Sequence, residues 1–129
     1  MKTLITDDDF ISRMLLQKLL MSYGEVHVAV NGKEAVQAVR AAIDSGEPYN
    51  LICLDIMMPE MDGHIALQQI RKAEEDHRIL SSQGAKVIMA TALGDMKNVN
   101  NAFQSLCDGY LVKPIDKTKL FETLRTFGF

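Results

Sequence analysis

Residues 51–54, Leu-Ile-Cys-Leu, form an apolar run with no polar alternation, and the run ends at Asp55 in the turn-rich sequence Ile-Met-Met-Pro-Glu-Met-Asp-Gly. Successive strand residues point to opposite faces, so a run without alternation fits a strand covered on both sides, as in a parallel sheet packed between helices. This places Asp55 where a buried strand stops. Ligand sites of open parallel α/β sheets lie outside the carboxyl ends of their strands, so an acid there is presented to a crevice. An aspartate before a turn more commonly serves the turn itself. Whether Asp55 does more depends on what the other strand ends carry.

The rest of the chain repeats the pattern of strand, polar end and helix. Lys2–Thr6 reads as a first strand, followed at once by Asp7, Asp8 and Asp9. From Phe10 to Tyr23, Ile11, Met14, Leu15 and Leu19 recur at helical spacing, Gly24 provides a stop, and one acid of the triplet serves as a cap. Glu25–Val30 is a second strand. Asn31 and Gly32 open a helix bearing Ala35, Val36, Val39 and Ile43, which Ser45, Gly46 and Pro48 end. After Gly63 a helix is expected to about Glu75, with Ile65, Ala66 and Ile70 inward, and a polar connection then runs from Glu74 to Gly84. Ala85–Ala90 is a fourth strand ending at Thr91. Asp95 caps an expected helix marked by Met96, Val99, Phe103 and Leu106. Gly109–Val112 leads into Lys113 and Pro114, and Asp116 caps a last helix carrying Leu120, Leu124 and Phe127.

About five such units, with no repeat or linker between them, predict one domain over 1–129: an α/β doubly wound sheet of five parallel strands, helices on both faces and right-handed crossovers. A content of 47% hydrophobic and 24% charged residues fits a globular chain, and no apolar run approaches membrane-spanning length. With no secretory signal, the expectation is a cytoplasmic protein with no membrane insertion, and Cys53 and Cys107 are expected as reduced thiols. The net charge of −3 argues against direct binding of nucleic acid.

In a parallel sheet all strand ends of one sense share one edge, so Asp7, Asp8, Asp55, Thr91 and Lys113 are predicted to gather there. Acids so gathered repel one another unless a cation neutralises them. His27, His64 and His77 show no zinc-ligand spacing, so an all-carboxylate set points to a hard ion such as Mg2+. Such an ion keeps positions for phosphate oxygens, lysine adds a point charge and threonine a hydroxyl, and a carboxylate can itself be phosphorylated. Asp55, ending the central strand, is the candidate nucleophile.

The triplet Asp7–Asp9, LDIMMPEMDG around Asp55, MATA ending in Thr91 and Ala92, and DGYLVKP through Lys113 and Pro114 together resemble the receiver domain of two-component response regulators. The resemblance spans essentially the whole chain. It implies a flavodoxin-like sheet of order 2-1-3-4-5 and a phosphorelay function, with Asp55 accepting a phosphoryl group from a phosphohistidine of a sensor histidine kinase or histidine phosphotransfer protein. It implies Asp8 as a direct Mg2+ ligand, Asp7 acting largely through water, and the Met57 backbone carbonyl as a further ligand. It assigns Thr91 as switch hydroxyl, Lys113 as phosphate-binding lysine before a cis Pro114, and Tyr110 as the aromatic that changes rotamer with Thr91. The signalling surface would be the helix over 96–106, the last strand and the last helix, with Met96, Val99, Asn100 and Phe103 its readable candidates. A phosphorylation-dependent dimer is compatible with that surface. Such a protein is a phosphoacceptor catalysing its own phosphorylation and dephosphorylation, not a metabolic enzyme.

Three features depart from the family pattern. Leu106 stands where many receivers have a glycine ending the fourth helix, so no left-handed cap is expected there. The Glu74–Gly84 connection is long, and Thr6 precedes the acids where an apolar residue is usual. Apolar Met57 and Leu93 flank the expected water path and predict slow loss of phosphate. The principal alternative, an aspartyl-phosphate phosphohydrolase of the haloacid dehalogenase type, needs an acid two residues after the nucleophile, where this chain has Met57, and a cap for which it has no spare length. A phosphorylation-independent binding module would not need the complete set of site residues. With the chain ending at Phe129, a single-domain regulator without an output domain is expected, its downstream target unnamed by the sequence.

Overall fold

The computed structural model describes residues 1–80, 82–92 and 106–129. Five parallel strands, β1 (Lys2–Thr6), β2 (Glu25–Ala29), β3 (Leu51–Asp55), β4 (Lys86–Ala92) and β5 (Gly109–Lys113), form one sheet in the order β2-β1-β3-β4-β5. This is the predicted fold. Every residue of β3 is buried, as its unbroken apolar run requires, and the strand pairs with β1 and β4 from Thr3↔Leu51 to Asp55↔Ala90.

Three helices, α1 (Phe10–Leu20), α2 (Gly32–Asp44) and α3 (Gly63–Asp76), and a C-terminal helix (Lys117–Thr126) cover the sheet. Alternate strand residues feed two cores. Leu4, Ile52, Leu54, Val87 and Met89 pack with α2 and α3, whereas Ile5, Leu51, Cys53 and Ile88 pack with Leu16 and Leu20 of α1 and Leu120 and Leu124 of the C-terminal helix. Each of these four helices begins on a side-chain cap: Asp9, Asn31, Asp62 and Asp116 accept backbone N–H groups of their first turns.

Two apolar assignments are corrected. Leu16 and Leu20 are the buried residues of α1, whereas Ile11, Met14 and Leu15 are exposed. Seven apolar residues spread around α1 make more than one stripe, and packing against Leu120 and Leu124 selects the one that carries Leu16 and Leu20. On α3, Ala66, Leu67, Ile70 and Ala73 line the inner face, while Ile65 is 44% exposed. The 3.6-residue period that aligns Ala66, Ile70 and Ala73 turns Ile65 outward.

The long connection after α3 is held by a buried acid. Glu74 accepts the Ala85 N–H at 2.7 Å and Arg71 Nη1 at 2.8 Å, and a Cβ on Gly84 would strike its carboxylate. Arg71 also donates to the carbonyls of Ala85 and Leu106, each at 2.8 Å, and to Asp108 at 3.1 Å. The expected uncapped end of the helix before Leu106 lies outside the described residues; the Leu106 carbonyl itself is tied to α3 by Arg71. Among the described residues no helix is long and apolar enough to cross a membrane.

Candidate functional site

The carboxyl ends of β1, β3, β4 and β5 form one edge of the sheet. Asp7 follows β1 with its backbone N–H still bonded to Ala29 O at 3.2 Å, and its side chain is buried. Asp8 is exposed. Asp55 ends β3 and is 5% exposed, with the following Ile56 N–H bonded to Ala90 O at 3.1 Å. One carboxylate oxygen from each of Asp7, Asp8 and Asp55 lies within 4.8 Å of the others.

Lys113, the last residue of β5, reaches back into this group. Its Nζ lies 2.8 Å from Asp7 Oδ2 and 3.3 Å from Asp55 Oδ2. The peptide that follows, Lys113–Pro114, is cis. Burial, and then the Asp7 charge, push the Asp55 carboxyl up to about 6, with Lys113 opposing both. Burial alone would depress Lys113, but its bond to Asp7 and the charges of Asp55 and Asp7 raise it instead. One ammonium is therefore shared between two carboxyl groups, Asp7 and Asp55, with Asp8 beside them.

The other expected residues surround this contact without joining it. Thr91 is buried one residue beyond Ala90, the β4 partner of Asp55, and among the described residues its hydroxyl makes a long contact to Ala92 O at 3.4 Å. Met57 is 63% exposed two residues after Asp55. Tyr110 pairs with Met89 deeper in the sheet, and burial, then the neighbouring Cys107 thiol, push its phenol pKa up. Leu93, Met96, Val99, Asn100 and Phe103 lie outside the described residues.

Two contributors were not singled out from sequence. Gly63, at the start of α3, donates its N–H to Ile56 O at 2.8 Å, and a Cβ there would strike the Asp55 carbonyl. The glycine that closes the motif is thus a steric requirement of the acid that opens it. Arg13 of α1 donates from Nη1 to the Asp7 carbonyl at 2.8 Å. No spacing rule connects a helix cation to a backbone carbonyl six residues earlier.

An all-oxygen donor set of three acids, two of them buried, with one carboxyl driven upward by its surroundings, fits a hard divalent cation. Comparison with known proteins bears on what such a site is for. Residues 3–125 match the family described as the response regulator receiver domain. The chain belongs to that family. This receiver domain is 30% identical over 125 residues to the chemotaxis protein CheY of Bacillus subtilis, an alignment covering 95% of the chain and 93% of that protein. It is 28% identical over 128 residues to the osmosensing histidine protein kinase SLN1 of Saccharomyces cerevisiae, covering 98% of the chain but 10% of the kinase. It also spans less than half the length of other curated relatives. Among solved structures, the receiver domain of the Arabidopsis thaliana histidine kinase CKI1, complexed with Mg2+ and BeF3−, matches with a TM-score of 0.79 at 28% identity, covering 98% of this chain and 89% of that one.

Proposed function

We propose that this receiver domain works in phosphorelay signal transduction by accepting a phosphoryl group on Asp55 from a phosphohistidine of a sensor kinase or phosphotransfer protein. The observation that carries the reading is the buried carboxylate of Asp55 facing Asp7, Asp8 and the Lys113 ammonium at one sheet edge. In the transfer an Asp55 oxygen attacks phosphorus, the P–O bond forms, and the P–N bond breaks with its electron pair remaining on the donor imidazole. Lys113 shifts from the carboxylates to a phosphoryl oxygen, and the Thr91 hydroxyl donates to another.

Asp8, Asp55, the Met57 carbonyl and, largely through water, Asp7 would hold Mg2+. When bound, that ion offsets the negative charge of acids and phosphoryl oxygens. Phosphorylation draws Thr91 toward Asp55, Tyr110 fills the space released, and the surface around the last strand and last helix is remodelled for a downstream partner.

A protein donor must cover the edge where Asp55 opens, and α1 offers contact area there. Phe10, Ile11, Met14 and Leu15 are large apolar residues exposed immediately after the acidic triplet. Such a patch suits the apolar face of a donor helix.

Beryllofluoride binding tests the reading. Calorimetric titration is expected to show uptake of one beryllofluoride per chain only with Mg2+ present, and none in Asp55→Asn. Equal uptake by Asp55→Asn would reject Asp55 as the acceptor.

A further inference from the structure

We propose that Arg13 is a positioning residue for the acidic edge: its guanidinium fixes the Asp7 carbonyl so that Asp7 and Asp8 present their carboxylates toward Asp55 at a spacing that suits a divalent cation. This rests on the reading of the edge as a Mg2+ site.

The β1 ladder ends where the acids begin. Thr6 is the last paired residue, opposite Ala29 and Leu54, and Asp7 retains one ladder bond through its N–H. Its carbonyl lies beyond the ladder, and Arg13 Nη1 takes it at 2.8 Å. The far end of the turn is held without the arginine side chain, by the first backbone bond of α1 from the Arg13 N–H to Asp9 O at 3.0 Å. The guanidinium therefore fixes the Asp7 end of a turn whose Asp9 end is fixed by the helix. Its guanidinium sits 5.7 Å from the centre of the Phe10 ring, which limits where the long side chain swings.

Within the turn, two of the acids are occupied. Asp7 accepts the Asp9 N–H at 2.9 Å and the Lys113 ammonium, and Asp9 caps α1 through the Ser12 N–H at 2.9 Å and hydroxyl at 2.8 Å. The Asp8 carboxylate makes no hydrogen bond or ion pair among the described residues. It projects from a turn held at Asp7 by the Arg13 guanidinium and at Asp9 by the helix start and its Ser12 cap, so loss of the guanidinium frees one side of it. Outer contacts of this kind orient ligands they do not resemble chemically.

Arg13 has a second property of opposite sign. As a cation close to the edge it repels Mg2+, while as a donor it organises the turn that binds Mg2+. Arg13→Gln removes the charge and is too short to reach the Asp7 carbonyl, so repulsion predicts tighter Mg2+ binding and positioning predicts weaker. Arg13→Lys retains the charge and one donor at similar reach.

The experiment is calorimetric titration of the full chain with Mg2+ for wild type, Arg13→Gln, Arg13→Lys and Asp8→Asn, with thermal midpoints measured in EDTA. Expected is roughly tenfold weaker Mg2+ binding in Arg13→Gln, recovery to within about threefold of wild type in Arg13→Lys, and an EDTA midpoint nearly unchanged in both. Unchanged or tighter binding by Arg13→Gln would overturn the proposal, as would a loss of affinity that simply tracks a large fall in the EDTA midpoint. A wild type that takes up no Mg2+, or an Asp8→Asn variant that takes it up equally well, would instead remove the metal-site reading on which the proposal stands.

Discussion

The Lys113 ammonium makes its shorter ion pair with Asp7, at 2.8 Å, and its longer one with Asp55, at 3.3 Å. The lysine expected to hold phosphate is thus lodged between carboxylates that are expected to serve Mg2+. Lysine and metal compete for the same negative charge, so replacing Lys113 by Met is predicted to tighten Mg2+ binding several-fold in the absence of phosphate. The same variant loses the cation that a phosphoryl oxygen needs, and beryllofluoride retention falls by about tenfold or more. Paired titrations with Mg2+ alone and with Mg2+ plus beryllofluoride check the two opposite signs.

The Asp55 carboxyl, pushed up to about 6 by burial and then by Asp7, gives stability a defined pH dependence without metal. An unfolded aspartate titrates near 3.9, so between about pH 4 and 6 the folded state binds the extra proton. Stability from this group is greatest below pH 4, falls as pH rises toward 6, and is constant above. Asp55→Asn removes that slope and is predicted to be more stable than wild type at pH 7 by about 1–2 kcal/mol. Urea unfolding in EDTA at pH 4.5 and pH 7 measures it; a smaller difference at pH 7 than at pH 4.5 would contradict the assignment.

Thr6 is 1% exposed, and its hydroxyl has no hydrogen-bond partner. It faces the same core as Leu4, where an apolar side chain suits the space. Thr6→Val removes a desolvated hydroxyl at nearly constant volume and is expected to stabilise the fold by about 1 kcal/mol. The thermal midpoint rises accordingly by roughly 3–6 °C.

Met57 is exposed two residues after Asp55, and an apolar side chain there is expected to leave a hydrolytic water unoriented. Exchanging it for Asn, together with a polar residue at Leu93, is predicted to speed loss of the phosphoryl group several-fold by orienting that water. Decay of the phosphorylated mass with time reads the effect.

How far these features are legible in sequence differs from residue to residue. An unbroken apolar run is a strong signal, so the β3 strand and the parallel sheet around it could be read directly, and the meeting of Asp7, Asp55 and Lys113 follows because parallel strands end at one edge. The inner face of α1 could not be read, because Ile11, Met14, Leu15, Leu16, Leu19 and Leu20 offer several stripes and only the packing partner chooses between them. Arg13 and Arg71 were invisible for a different reason. Both act through long side chains on backbone carbonyls, Asp7 and Leu106 respectively, and a carbonyl carries no residue identity for a pattern to detect.

The most direct test of the account is intact mass after incubation with acetyl phosphate, with and without Mg2+, for wild type and Asp55→Asn, with borohydride reduction to locate the modified acid. The account predicts a gain of one phosphoryl group that requires Mg2+, maps to Asp55 and is absent from the variant. A wild type that gains no mass, or a variant that gains as much, would contradict it.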